Sequence, residues 1–193
     1  MPKRDLLLPV LQNWSCHNCG GCCREHAITI TEAEKQRIEK QGWSAEHGLP
    51  EDQPWVTKSS RNQYSLAHAD DGACVFLDEQ GLCRIHARFG EAAKPLACRL
   101  YPYVFHPNGS TDLAVSLRFS CPSVTQNLGS TVRQQQADLK SLAADVTAGV
   151  KEKFEPPPVH RAGSHGEQSL PWPDFHKLVD ALVKSLQLSL IHI

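Results

Sequence analysis

Short apolar runs separated by polar, glycine-rich turns dominate the first two thirds of the chain, and longer stripes of helical period take over after residue 130. "AITIT" (27–31) predicts a short strand. "TEAEKQRIEKQG" (31–42) predicts a helix opened by the capping box of Thr31 and Glu34 and closed at Gly42. "SAEHGLPEDQPW" reads as loop. From Tyr64 to Cys121 short strands are expected to alternate with tight turns at "DDG" before Cys74, "EQG" before Cys83 and "PNG" at 107–109. Asn108-Gly109, between "YVFH" and "LAVSLRF", predicts a hairpin. "GEAAKPLACRL" predicts a short helix.

Beyond Ser130, Leu139, Leu142, Ala143, Val146 and Val150 recur at helical spacing and mark a core-facing stripe. "EPPPVHRAGSHGEQSLPWP" (155–173) reads as a proline-rich linker. A final amphipathic helix over 174–187 places Phe175, Leu178, Val179, Leu182, Val183 and Leu186 on one face, as the start of a region that continues further. The closing "LSLIHI" breaks the pattern, and 188–193 reads as a non-native tail. The expected fold is α+β: a small, irregular cysteine-rich core with short antiparallel strands and flanking helices at 31–41, 130–153 and 174 onward. Residues 1–154 are expected to form its principal domain.

Composition narrows the chemistry. At 193 residues the chain can bury a real core, so thiol staples are not needed to compensate for small size. A net charge of -1 and a pI near 6.8 lack the basic footprint that nucleic acid demands. Asp5 and Pro9 interrupt the opening apolar run, which is too short for a secretory leader. No stretch approaches the roughly 18 apolar residues of a membrane span. The expected location is cytoplasmic, where eight cysteines serve as metal ligands or redox groups more readily than as disulfides, although their even number is also what bridges require.

The thiols run C-x2-C-x2-C-C-x50-C-x8-C-x14-C-x22-C: Cys16, Cys19, Cys22, Cys23, Cys74, Cys83, Cys98 and Cys121. The first three are spaced so that one turn, eased by Gly20 and Gly21, would aim their sulfurs at a common point, as in the ferredoxin run. Cys121-Pro122 suits a remote fourth ligand. Adjacent Cys22 and Cys23 are expected to point apart, which suggests two four-cysteine sites, or one iron–sulfur cluster with thiols left over; spacing does not choose between iron–sulfur and zinc. Arg24, Arg84 and Arg99 each follow a cysteine and either favour thiolates or solvate a surface rim. His17, His26, His86 and His106 are weaker ligand candidates. No H-E-x-x-H, Ser-His-Asp or P-loop signature is evident, and a radical-SAM C-x3-C-x2-C reading fails because position 26 is histidine.

"CHNCGGCC", "ITITEAE", "CVFLDEQGLCRIH", "KPLACRLYP" and "SLRFSCP", in that order over residues 16 to about 124, resemble the YkgJ-type cysteine-cluster family of zinc- or iron-chelating domains. Flagellin lysine-N-methylase is similar through the same region. That likeness implies an iron–sulfur cluster, S-adenosylmethionine as methyl donor and a lysine-bearing protein as substrate, but carries no catalytic residue across. In "KPLACRLYP" the family resemblance favours a role for Lys94, Arg99 and Tyr101 in orienting the metal site or holding a substrate anion. The leading expectation is a metal-binding protein holding iron–sulfur, or else zinc, through the eight cysteines. A protein methyltransferase and a structural zinc interaction module are the alternatives.

Overall fold

The computed structural model describes residues 6–49, 54–60, 63–108, 112–148, 159–160 and 169–190. In chain order these form β1 (Leu6–Leu7), α1 (Gly21–Glu25), β2 (Thr29–Ile30), α2 (Glu32–Glu39), β3 (Val56–Ser60), β4 (Gln63–Leu66), α3 (Arg84–Phe89), α4 (Leu96–Leu100), β5 (Tyr103–Asn108) and β6 (Asp112–Leu117). Then come α5 (Pro122–Thr125), α6 (Gln136–Ala148), β7 (Val159–His160), β8 (Ser169–Leu170) and α7 (Trp172–Leu190). The α+β class expected from the pattern is the class observed.

The chain divides into two compact units, one of Leu8–Phe105 with Val115–Gly149 and one of Met1–Leu7, His106–Ala114 and Val150–Ile193. In the larger unit β2, β4 and β3 form an antiparallel sheet in that order, with Ile30 opposite Tyr64 and Val56 opposite Leu66. Ile30, Ile38, Trp43, Leu66, Phe76 and Ile85 belong to one buried apolar core. Trp43 meets the Phe76 ring edge-on at 5.1 Å. The N-terminal part of this unit is held along the segment before α6: Trp14 N donates to the Ser130 carbonyl at 2.9 Å, and Gln135 Nε2 donates to the Trp14 carbonyl at 2.6 Å. Tyr103 hydroxyl donates to Gln135 Oε1.

Helix α2 starts as its sequence predicts. Thr31 accepts from Glu34 N, and Thr31 N donates to Glu34 Oε2 at 2.8 Å. Gly42, at φ 67°, donates to the Glu39 carbonyl after the last turn. The same Glu34 reaches a second helix, its Oε1 accepting from Leu96 N at the start of α4 at 2.7 Å. Arg37 Nη2 donates to the Lys94 carbonyl at 3.1 Å. A local capping signal therefore also sets where α4 begins.

Two expectations change in this unit. The alternation of strands and turns fails over 84–89, where α3 forms with Ile85 fully buried; Arg84 N is drawn to the Phe76 carbonyl at 2.8 Å, and a single helical turn follows. "GEAAKPLACRL" is two pieces, a 3-10 turn at Glu91–Ala93 and then α4. Pro95 lacks an N–H and biases Lys94 to an extended conformation, here φ -64° and ψ 152°. The stripe of α6 behaves as predicted at Leu139, Leu142 and Ala143, all buried; Val150 lies outside the described residues.

In the smaller unit β1 runs parallel to β6, with Leu6 opposite Leu113 and Leu7 opposite Ala114. Strands β5 and β6 are sheet neighbours, as the "YVFH" and "LAVSLRF" pattern predicts, but the turn at Gly109 lies outside the described residues. Much of the expected linker also lies outside them, although β7 and β8 pair antiparallel within it. Helix α7 starts earlier than 174, because Trp172 and Pro173 occupy a first turn that tolerates proline, and it runs on to Leu190. Residues 191–193 are not described. Its apolar stripe is exposed, Leu182 by 56% and Leu186 by 64%.

Glu34 gives a direct test of the α2 to α4 link. Burial works against its charge, but the N–H groups of Thr31 and Leu96 outweigh it and hold the carboxyl below its ordinary value of 4.5. Glu34→Ala is expected to cost about 1–2 kcal/mol in chemical denaturation at neutral pH. Because the folded-state pKa is lowered, the advantage of wild type over Glu34→Gln is present above the unfolded-state value and fades as pH falls through the folded one. Denaturation midpoints of both proteins across that range check this.

Candidate metal centre

Helix α1 is one turn long and begins after Gly20, whose φ of 69° suits glycine and lets the chain bend into the helix. Cys23 N donates to the Gly20 carbonyl at 3.0 Å. The helix brings the sulfurs of Cys22 and Cys23 to 3.9 Å from each other. The expectation that these neighbours point apart is corrected: both are half-buried and turned together.

The next two thiols come from a tight double-back. Cys74 N donates to the Cys23 carbonyl at 2.7 Å, tying α1 to this segment. Leu77 then bridges antiparallel to Cys83. The turn between them is held by Asp78, whose carboxylate accepts from Gln80 N at 2.9 Å and Leu82 N at 2.7 Å. Gly81 is required here: its φ is 79°, and a Cβ would lie 2.6 Å from the Asn18 carbonyl oxygen. The turn thus seats the loop that leads into α1. Cys98, the fifth thiol, stands on α4, and Cys23, Cys83 and Cys98 pack against the core that contains Cys74.

The thiols are shifted by burial and by one another. Hydrogen bonding with Cys22, burial and the charges of Cys22, Cys74 and Cys83 all push the Cys23 thiol up, while Cys22 is lowered by the hydrogen bond from Cys23 and by Lys94. Burial pushes Cys74 up to about 11, with Cys83 and Cys22 adding to it. Burial pushes Cys98 up to about 12 against the pull of Lys94, with Cys74, Cys83 and Cys22 adding to it. Cys22, Cys23, Cys74 and Cys98 are thus each shifted by burial or by neighbouring sulfurs.

The remaining three do not join this group in the same way. Cys16 and Cys19 are exposed, because they precede α1 and do not ride on its turn; Cys16 Sγ lies 3.6 Å from Asn18 Oδ1. Cys121 is buried at the start of α5, and its charge reaches Tyr101, as does that of Cys22. All eight cysteines are free thiols. Among the described residues no three His, Cys, Asp or Glu side chains already stand at the spacing a bound ion would impose.

Of the residues singled out beside the thiols, Lys94 is the cation whose charge acts on Cys22 and Cys98. Arg99 forms an ion pair with Asp145 of α6 at 2.9 Å. Tyr101 hydroxyl lies 3.2 Å from Ser120 Oγ. Arg24 pairs with Asp71 at 3.0 Å, and Arg84 reaches the His47 carbonyl at 3.4 Å. These arginines are thus engaged with oxygens. His17 Nδ1 lies 2.7 Å from the Ser15 carbonyl and 3.1 Å from Ser123 Oγ, and His86 and His106 are exposed. His26 alone among these four has a buried ring nitrogen, Nε2, without a hydrogen-bond partner.

Residues 15–127 match the family model CxxCxxCC, described as a "Putative zinc- or iron-chelating domain". The chain belongs to this family. Every cysteine of the CxxCxxCC domain lies inside the matched span, whereas α6 and α7 lie beyond it. No curated protein and no solved structure matches the chain. No described helix is long and apolar enough to cross a membrane.

The burial of the thiols predicts an order of reactivity. In a short iodoacetamide pulse on metal-free protein, mapped by peptide mass spectrometry, Cys16 and Cys19 should be labelled first and Cys74 and Cys121 last. Equal labelling of all eight would contradict the arrangement.

Proposed function

We propose that this CxxCxxCC domain chelates a metal centre through thiolates drawn from Cys22, Cys23, Cys74, Cys83 and Cys98, with an iron–sulfur cluster as the first reading and zinc as the second. The observation that carries it is the packing of the free thiols Cys23, Cys83 and Cys98 against the buried core that contains Cys74, with the Cys22 sulfur 3.9 Å from that of Cys23. Burial leaves Cys74 and Cys98 as costly sites for bare negative charge; a cation removes that cost. Thiolates are donors that both zinc and iron–sulfur centres take. Tetrahedral thiolates bound at ~2.3 Å stand about 3.8 Å apart, close to the 3.9 Å between Cys22 and Cys23 sulfurs.

Lys94 offsets part of the negative charge that a four-thiolate site accumulates. Iron–sulfur, the occupant that the likeness to flagellin lysine-N-methylase implies, would supply one-electron chemistry; zinc would be redox-silent. An open groove of about 290 Å³, lined in part by Arg24, Cys74 and Arg84, offers a path from solvent to this side of the core. Methyl transfer from S-adenosylmethionine to a lysine-bearing protein rests on the likeness to flagellin lysine-N-methylase alone.

Anaerobic purification with metal and sulfide analysis and a visible spectrum tests the reading. Iron with sulfide and a broad visible absorbance is expected; colourless protein with stoichiometric zinc would select the second occupant. Cys74→Ser and Cys98→Ser should each lower bound metal by roughly ten-fold or more, whereas Cys16→Ser keeps most of it. Metal content unchanged in Cys74→Ser and Cys98→Ser would sink the assignment.

A further inference from the structure

Helix α4 carries Cys98, yet it is five residues long and has no fully buried residue of its own, so helical propensity alone does not hold it in place. Glu34 accepts from its first N–H, at Leu96, and Arg37 donates to the Lys94 carbonyl just before it. Both contacts act at the start of the helix. At its other end Arg99, the residue after Cys98, pairs with Asp145 of α6, Nη1 lying 2.9 Å from Oδ2. Helix α6 is the firmer element: it has 13 residues and buries Leu139, Leu142 and Ala143. Asp145 follows Leu142 by three residues, which places it at the edge of that buried stripe. The Arg99 side chain is 20% exposed and that of Asp145 43%, so water screens the pair in part and its effect is local.

We propose that Asp145 is a positioning residue for the metal centre, holding the far end of α4 through Arg99 and so keeping Cys98 set for a bound ion. The proposal rests on the role of Cys98 as a ligand assigned above, and adds to it a support from α6, a helix beyond the CxxCxxCC span. A thiol on a one-turn helix that is free to pivot must be ordered when metal binds, and that lost freedom subtracts from affinity. A helix tied at both ends is ordered beforehand. Cys98 already packs with Cys23 and Cys83 against the core that contains Cys74, and the Arg99 pair keeps the helix from turning away from it.

The full chain, loaded with Zn2+ alone, given a short iodoacetamide pulse and mapped by peptide mass spectrometry, provides the test. Asp145→Asn and Arg99→Gln both break the pair, but the first removes a negative charge and the second a positive one. In both zinc-loaded variants Cys98 should be labelled roughly ten-fold faster than in wild type, while Cys74 keeps its wild-type rate. Denaturation midpoints of the metal-free variants should stay near that of wild type, because so open a pair adds little to global stability. Three results overturn the assignment of Asp145 and leave thiolate chelation standing: unchanged labelling of Cys98 in both variants, changes of opposite sign in the two, which would mark an effect of charge alone, or midpoints clearly lowered in both, which would mark general support of the fold. Zinc that fails to slow the labelling of Cys98 in wild type overturns instead the place of Cys98 among the ligands.

Discussion

The hydrogen bond from Cys74 N–H to the Cys23 carbonyl, 2.7 Å long, is the joint on which the thiol cluster depends. Helix α1 is a single turn with no buried residue of its own, too short to hold its place by helical propensity. What fixes it is this bond on one side and the seating of Asn18 on the Gly81 turn on the other. With α1 pinned, Cys23 packs with Cys83 and Cys98 against the core that contains Cys74. Glu34 then sets the remaining element by holding the first N–H of α4.

Local rules were enough for part of this. The Thr31 and Glu34 box, the buried stripe of α6 and the neighbouring strands β5 and β6 follow from patterns that act within a few residues. Helix α3 did not show because one turn with a single buried side chain, Ile85, has too short a period to read. The candidate site was legible as an inventory of eight cysteines but not as a grouping. Grouping depends on Cys74 reaching Cys23 and on Glu34 reaching Leu96, contacts made across long stretches of chain. The closeness of Cys22 and Cys23 sulfurs and the exposure of Cys16 and Cys19 both follow from where α1 begins, which the spacing of the thiols leaves open.

Charge and burial are opposed at this place. The core that gathers Cys74 and Cys98 also raises the cost of ionising them, and their neighbours add to that cost. The arginines that follow cysteines are engaged elsewhere: Arg24 with Asp71, Arg99 with Asp145, and Arg84 with a backbone carbonyl. Lys94, held by its carbonyl to Arg37 and by Pro95 in an extended conformation, supplies the nearby positive charge. Burial thus raises the cost of ionising Cys74 and Cys98, and a bound cation would offset it.

That the five clustered thiols come from three segments has a bearing on biosynthesis. As the polypeptide leaves the ribosome, Cys22 and Cys23 emerge first and remain without their counterparts until the Asp78 turn has formed, and α4 is later still. The set is complete in the chain only once Cys98 of α4 has been made, after every residue of the apolar centre around Phe76, from Ile30 to Ile85.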